Sequence, residues 1–288
     1  MKTPLARCKK RLLTLVAAST AMAFAVVPAS AQTADPVESP LAYADVVDLA
    51  EAAPLVLVAQ VRRASELKAD RAVNVRPGWA RLYIEADTRS LLSGNVPVGE
   101  KLAYLADVPL DSRGRVPKLK KRDVVLFASP VPGRPGELQL VAPDAQLLLA
   151  DAEMTRLKAV LTALVDPQAP PRITGLRDML HTPGNLAGEG ETQIFLDTAD
   201  GTAASLTVRS RPSQPRTWGL STGELVDLDA RPPAPGTLAW YRLACSLPAQ
   251  VRPAAHLTSD PQLRQRAEAD YAAVIADLGK CERRRVFD

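Results

Sequence analysis

Between Pro54 and Val141, five segments patterned as strands follow one another too closely for crossover helices to fit between most of them. A parallel neighbour needs a connection of a dozen or more residues, usually helical, so the sheet here must be antiparallel or mixed. PLVLVAQV (Pro54–Val61) is a continuous Val/Leu run suited to a strand buried on both faces. WARLYIEA (Trp79–Ala86) alternates, with Trp79, Arg81, Tyr83 and Glu85 on one face and Leu82 and Ile84 on the other. Further strands are expected at Lys101–Asp107, Asp123–Ser129 and Glu137–Val141, set off by the turn signals SGN, DSRG and PGRPG.

A helix is expected ahead of this array, in LAYADVVDLAEAA (Leu41–Ala53), where Leu41, Val46, Leu49 and Ala53 recur at roughly helical spacing before Pro54. Another follows the array. In DAEMTRLKAVLTALVD (Asp151–Asp166), Met154, Leu157, Val160, Leu161 and Leu164 form one apolar stripe, with acidic residues in the first turn and Pro167 after the end. ITGLRDMLH (Ile173–His181) reads as a short second helix. TQIFLDT and ASLTVRS (Thr192–Thr198 and Ala204–Ser210) then flank an Asp200-Gly201 turn, a hairpin signature. RTWGLS and GELVDLD (Arg216–Ser221 and Gly223–Asp229) are expected to form a second hairpin, and TLAWYRLAC (Thr237–Cys245) a closing strand. The last helix carries start and stop signals: Ser259 or Asp260 as cap, Pro261 at its first position and Gly279 past its end. The fold class read from these elements is α+β. A β-rich, barrel-like domain spans 41–150, and an antiparallel meander packed by helices spans 151–288.

Residues 1–31 have the three parts of a secretory signal peptide: a basic start, an apolar run from Leu12 to Val27, and a small-x-small site at Ala29-Ser30-Ala31. Cleavage between Ala31 and Gln32 is expected, followed by a disordered, proline-rich leader at 32–40. The apolar run is shorter than the roughly 20 residues of a spanning helix, and no later stretch approaches one, so the mature chain is expected to carry no membrane span. Export changes the arithmetic. The precursor has 36 basic and 32 acidic residues. Five basic residues leave with the signal, so 31 face 32 and the net charge becomes −1. The precursor pI near 9.0 is therefore no argument for nucleic-acid binding. The three cysteines become two, Cys245 and Cys281, in a compartment where thiols oxidise. A disulfide is expected to clasp the last helix onto a sheet, through the strand that ends at Cys245. The compartment implied is the periplasm or exterior of a bacterium.

The order of parts in the first half resembles bacterial versions of the OB-fold seen in netrin and TIMP-like domains. The resemblance rests on the apolar opening strand LVLVAQV, a strand ending in the glycine turn LLSGN, and the later basic-Asp-apolar segment KKRDVVLFA (Lys120–Ala128). It covers about 90 residues, and what it implies is a binding module rather than an enzyme.

SRGRVPKLKKR (Ser112–Arg122) gathers Arg113, Arg115, Lys118, Lys120, Lys121 and Arg122 with no acidic residue among them. It reads as a solvated loop, or as a contact for an anionic partner such as a lipid head group or envelope polysaccharide. No aromatics interleave these cations, so base stacking has no platform. The tail Arg283–Arg285 reads as a solvated end, or as a specific anion site. With only His181 and His256 present, a histidine-based triad or multi-histidine zinc site has almost no material, and HExxH, CxxC and GxSxG do not occur. Ser65–Lys68 matches Ser-x-x-Lys without its companion elements. Gly94–Lys101 misses the phosphate-loop spacing. No cofactor or metal is expected. Glu189, Glu191, Asp197 and Asp200 gather around the first hairpin and could bind calcium or serve as an acid/base pair. Two functions follow: a non-catalytic envelope protein that binds a protein partner or anionic polymer, or a carboxylate-dependent hydrolase of envelope material.

Overall fold

Long Val/Leu-rich segments joined by tight turns leave their backbone groups one outlet, pairing with each other, and the chain does this twice. The computed structural model describes residues 41–288 apart from 69, 224–229 and 286–288. The expected signal peptide, cleavage site and leader lie outside the described residues. After helix α1 (Tyr43–Ala52) come β1 (Leu55–Glu66), β2 (Trp79–Ser93), β3 (Lys101–Pro109), β4 (Asp123–Pro130), β5 (Glu137–Leu140) and the short β6 (Gln146–Leu147). The strands β1, β2 and β3 form an antiparallel meander, and β4 returns to lie beside β1, which is the Greek-key arrangement. Between β3 and β4 lies β5, parallel to the first and antiparallel to the second, so the five strands close into a mixed barrel. This is consistent with an OB-like barrel. Closure is made possible by β1, whose pairing with β2 shifts register at Val56/Leu57, Val58/Ala59 and Val61/Arg63. Each shift bends the strand enough for it to serve two neighbours. Alternation in β2 is as expected. Leu82 and Ile84 are fully buried, while Tyr83 is 44% exposed.

The second half opens with α2 (Asp151–Val165), which buries Leu157, Val160 and Leu161 of its stripe. An antiparallel sheet then runs in the order β10-β9-β8-β7, from β7 (Ile173–Pro183), β8 (Gly190–Thr198), β9 (Ala204–Ser210) and β10 (Thr217–Thr222). Helices α3 (Leu238–Ala244) and α4 (Pro261–Leu278) complete the chain. The expected strand partner at Gly223–Asp229 lies, but for Gly223, outside the described residues. No described helix is long and apolar enough to cross a membrane.

Two expectations are overturned here. Ile173–His181 is strand, not helix. Its pairing with β8 shifts at Ile173/Gly175 and at Leu176/Asp178. Each bulge adds a residue, so Ile173, Leu176 and Met179 are buried at intervals of three and imitate a helical stripe. Thr237–Cys245 is helix, not strand. Thr237 caps it by accepting the Trp240 N–H at 3.2 Å. Leu238, Trp240, Tyr241, Arg242 and Leu243 are all buried, so no polar face remains to display the helical period.

Cys245 caps the C-terminus of α3 and is bonded to Cys281, which follows α4. The disulfide therefore joins two helical ends rather than a helix and a sheet. Alongside it, the Trp240 indole N–H donates to the Leu278 carbonyl at 2.8 Å. The signals read for α4 hold: Asp260 accepts the N–H of Gln262, and Gly279 closes the helix at φ +70°.

Helix α1 is bound to the second half through its carboxylates. Glu51 pairs with Arg172 and Arg242. Asp48 accepts from the Tyr241 hydroxyl at 2.5 Å and from Arg283 Nε at 2.6 Å. Asp45, fully buried, accepts the backbone N–H groups of Ala42, Arg284 and Arg285. Residues Ser39–Asp288 make one compact unit. The Arg283–Arg285 tail is thus not a solvated end. Arg285 pairs with Asp144, its side chain only 9% exposed.

Candidate functional site

The six cations of the basic segment lie on the loop between β3 and β4. Arg115 is committed locally: its Nε and Nη2 donate to Asp111 Oδ2 at 3.0 and 2.8 Å. That pair, with the backbone N–H groups of Arg115 and Arg113, holds the Asp111 carboxyl below the usual carboxylate range. Arg113, Lys118, Lys120, Lys121 and Arg122 are exposed and form no ion pair among the described residues. Leu119 anchors the loop, buried to 3% exposure between two exposed lysines. Lys121 sits at φ +66°, the left-handed region that glycine fills at least cost. Its conformation is fixed by β1: Lys121 N–H donates to the Val61 carbonyl at 2.7 Å, and Val61 N–H to the Arg122 carbonyl at 3.0 Å.

Behind this loop is an apolar cavity of about 560 Å³ at the end of the barrel, lined by Trp79, Val108, Leu110, Leu119, Leu147 and Leu149 among others. Its carboxylates are neutralised by arginines. Asp107 takes a two-point contact from Arg81, at 2.7 and 2.9 Å, and that bond raises the Arg81 pKa. Asp144 is held by Arg285 and Asp111 by Arg115. Pro117 and Leu119 point the loop's apolar residues at the cavity, while Lys118 and Lys120 stay in solvent.

The four hairpin carboxylates do not come together as one set. Glu191 and Asp197 are six residues apart on β8, about 20 Å along an extended strand. Glu189 closes the loop after β7 and lies against Gly184. Glu191 accepts from Arg209 at 3.1 Å and Gln193 at 2.6 Å. Asp197 lies beside Gly175 across the β7–β8 ladder. Asp200 accepts the Thr202 N–H at 3.0 Å within the Asp-Gly turn, and that bond keeps its carboxyl below the usual range. Among the described residues, no group of three or more His, Cys, Asp or Glu side chains could hold a metal ion.

A different set does converge, and sequence reasoning passed over it. His181 on β7, Thr192 on β8 and Asp270 on α4 are all buried. Thr192 Oγ1 lies 2.8 Å from His181 Nδ1 and 2.5 Å from Asp270 Oδ2, and Arg216 Nε reaches Asp270 Oδ1 at 3.1 Å. The residues are 11 and 78 positions apart in pairs, so no local spacing announces them. The only available signal is alternation: Thr192 falls on the inward face of β8 with Ile194 and Leu196. With no exposed surface, its hydroxyl is no nucleophile.

No known family model matches the chain, and no curated protein does either.

Proposed function

We propose that this is an exported, non-catalytic protein of the bacterial envelope that binds an anionic polymer through the 113–122 loop of an OB-like barrel similar to netrin and TIMP-like domains. The reading includes cleavage after Ala31 and residence in the periplasm or outside the cell, which the disulfide supports. The observation that carries it is the state of the loop. Five exposed cations lack a carboxylate partner among the described residues, and Lys121 keeps a lysine where backbone geometry favours glycine. Unfavourable backbone retained at an exposed charged position points to a use for the side chain. The hydrolase alternative would need two of the hairpin carboxylates facing one cleft, and only Glu189 of the four lines the polar cavity beside His181.

The test is sedimentation of the mature protein with isolated cell walls and with anionic and neutral vesicles. Binding to the anionic material should be lost on replacing Lys118, Lys120 and Lys121 by Ser. Undiminished sedimentation of that triple variant would defeat the proposal.

A further inference from the structure

The second sheet carries a polar cavity of about 360 Å³, separate from the barrel loop, between the Pro183–Glu189 turn, the end of β9 and the first turns of α4. We infer that it is a binding site for a small hydroxylated organic anion, such as a sugar acid or sugar phosphate.

Asp270 is flanked by Arg216 and, ionised, can only accept hydrogen bonds. The single Thr192 hydroxyl proton therefore goes to Asp270, and Thr192 Oγ1 must accept from His181. In the neutral ring this puts the imidazole proton on Nδ1 and leaves the lone pair on Nε2. His181 is 8% exposed at its side chain, and Nε2 makes no hydrogen bond among the described residues. Beside it stands Gly190, where a Cβ would lie 2.7 Å from Nε2. Gly190 packs closely on that ring edge, which no side chain covers, and His181 is among the residues lining the cavity. A buried histidine is thus hydrogen-bonded to a second buried group beside the cavity.

The other walls supply charge. Arg266 forms no ion pair among the described residues, and Arg216 commits its Nε to Asp270 while its Nη1 reaches only the Ala269 carbonyl at 3.4 Å. Asp270 is already satisfied by Thr192 and Arg216, and Glu189 is held within its own loop, against Gly184 and the Leu186 N–H. The unfilled capacity is therefore the Arg266 guanidinium and the outer N–H groups of Arg216 for an anion, and one imidazole nitrogen for a hydroxyl. A ligand carrying both groups fits; a bare anion or a neutral sugar satisfies half.

Calorimetry on the purified chain would use galacturonate and glycerol 3-phosphate as probes, with acetate and galactose as comparators. Binding with a Kd on the order of 1 mM or tighter is expected for at least one probe, and at least about tenfold weaker for both comparators. Arg266→Ala, at an exposed position that leaves the fold intact, should weaken probe binding about tenfold. Imidazole ¹⁵N chemical shifts should show His181 protonated at Nδ1 only, with the Nε2 signal moving on addition of the probe. Acetate binding as tightly as either probe would overturn the inference. So would unaltered affinity in Arg266→Ala, absence of binding by both probes, or a proton found on Nε2 of the neutral ring.

Discussion

The loop at 113–122 and the tail at 283–285 are both dominated by Lys and Arg, and they reach opposite electrostatic states. In the tail every arginine is engaged. Arg283 pairs with Asp48, Arg284 gives its backbone N–H to Asp45, and Arg285 pairs with Asp144. In the loop only Arg115 has a carboxylate among the described residues, while Arg113, Lys118, Lys120, Lys121 and Arg122 project into solvent. What separates them is what folding brings nearby. Asp45 and Asp48 lie more than 230 positions from the tail they receive, whereas the one carboxylate paired with the loop, Asp111, is four residues from its partner Arg115. Cations that meet carboxylates only through the fold hold the structure together; cations left without them remain available to a partner.

The strongest way to disturb this contrast is to release the tail. Replacing Cys245 and Cys281 by Ser opens a closure of 36 positions, for which the chain-entropy model gives a loss of roughly 4 kcal/mol. Chemical denaturation of the double variant measures it directly, and unaltered stability would mean the salt links alone hold the tail. Asp45→Ala comes next, at about 3 kcal/mol, because it strands three backbone donors at a buried site. A change as small as that of a surface substitution would erase the distinction between the two runs.

A smaller effect tests the Asp48 link. The Tyr241 phenol is raised well above its ordinary value of about 10, first by burial and then by its bond to Asp48. A group whose folded pKa is raised contributes stability that is fully present below its unfolded pKa and lost as pH rises toward the folded one. The melting temperature should therefore fall above about pH 10. Tyr241→Phe should cost about 1 kcal/mol at neutral pH and flatten part of that alkaline decline. The smallest change belongs to the loop. Lys121→Gly relieves a left-handed side-chain residue and should alter stability by less than about 1 kcal/mol, in the stabilising direction, while weakening any anion binding.

How much of this was legible in the sequence depended on whether the signal was local. The barrel strands were readable because Leu82 and Ile84 alternate with exposed neighbours and glycine turns mark the ends. The terminal helix was readable from Asp260, Pro261 and Gly279, whose roles are set within a few residues. Ile173–His181 misled because two bulges stretched a period of two toward three. Thr237–Cys245 misled because a helix buried on all sides shows no period. The disulfide followed from counting the cysteines outside the expected signal peptide, but the placement of its ends on α3 and after α4 needed the fold. The basic loop could be named from composition alone. That its cations stay without partners, while those of the tail do not, depends on carboxylates hundreds of residues away. The His181–Thr192–Asp270 chain had no local trace, since its members meet only through sheet pairing and helix packing.

The contrast between the two basic runs is tested most directly by binding to isolated cell walls as a function of ionic strength, with Lys118→Ser/Lys120→Ser/Lys121→Ser measured beside Arg283→Gln. The account predicts salt-sensitive binding of the mature protein to the cell-wall material, lost in the triple lysine variant and retained in Arg283→Gln. Tight binding by the triple variant, or an equal loss on changing Arg283, would contradict it.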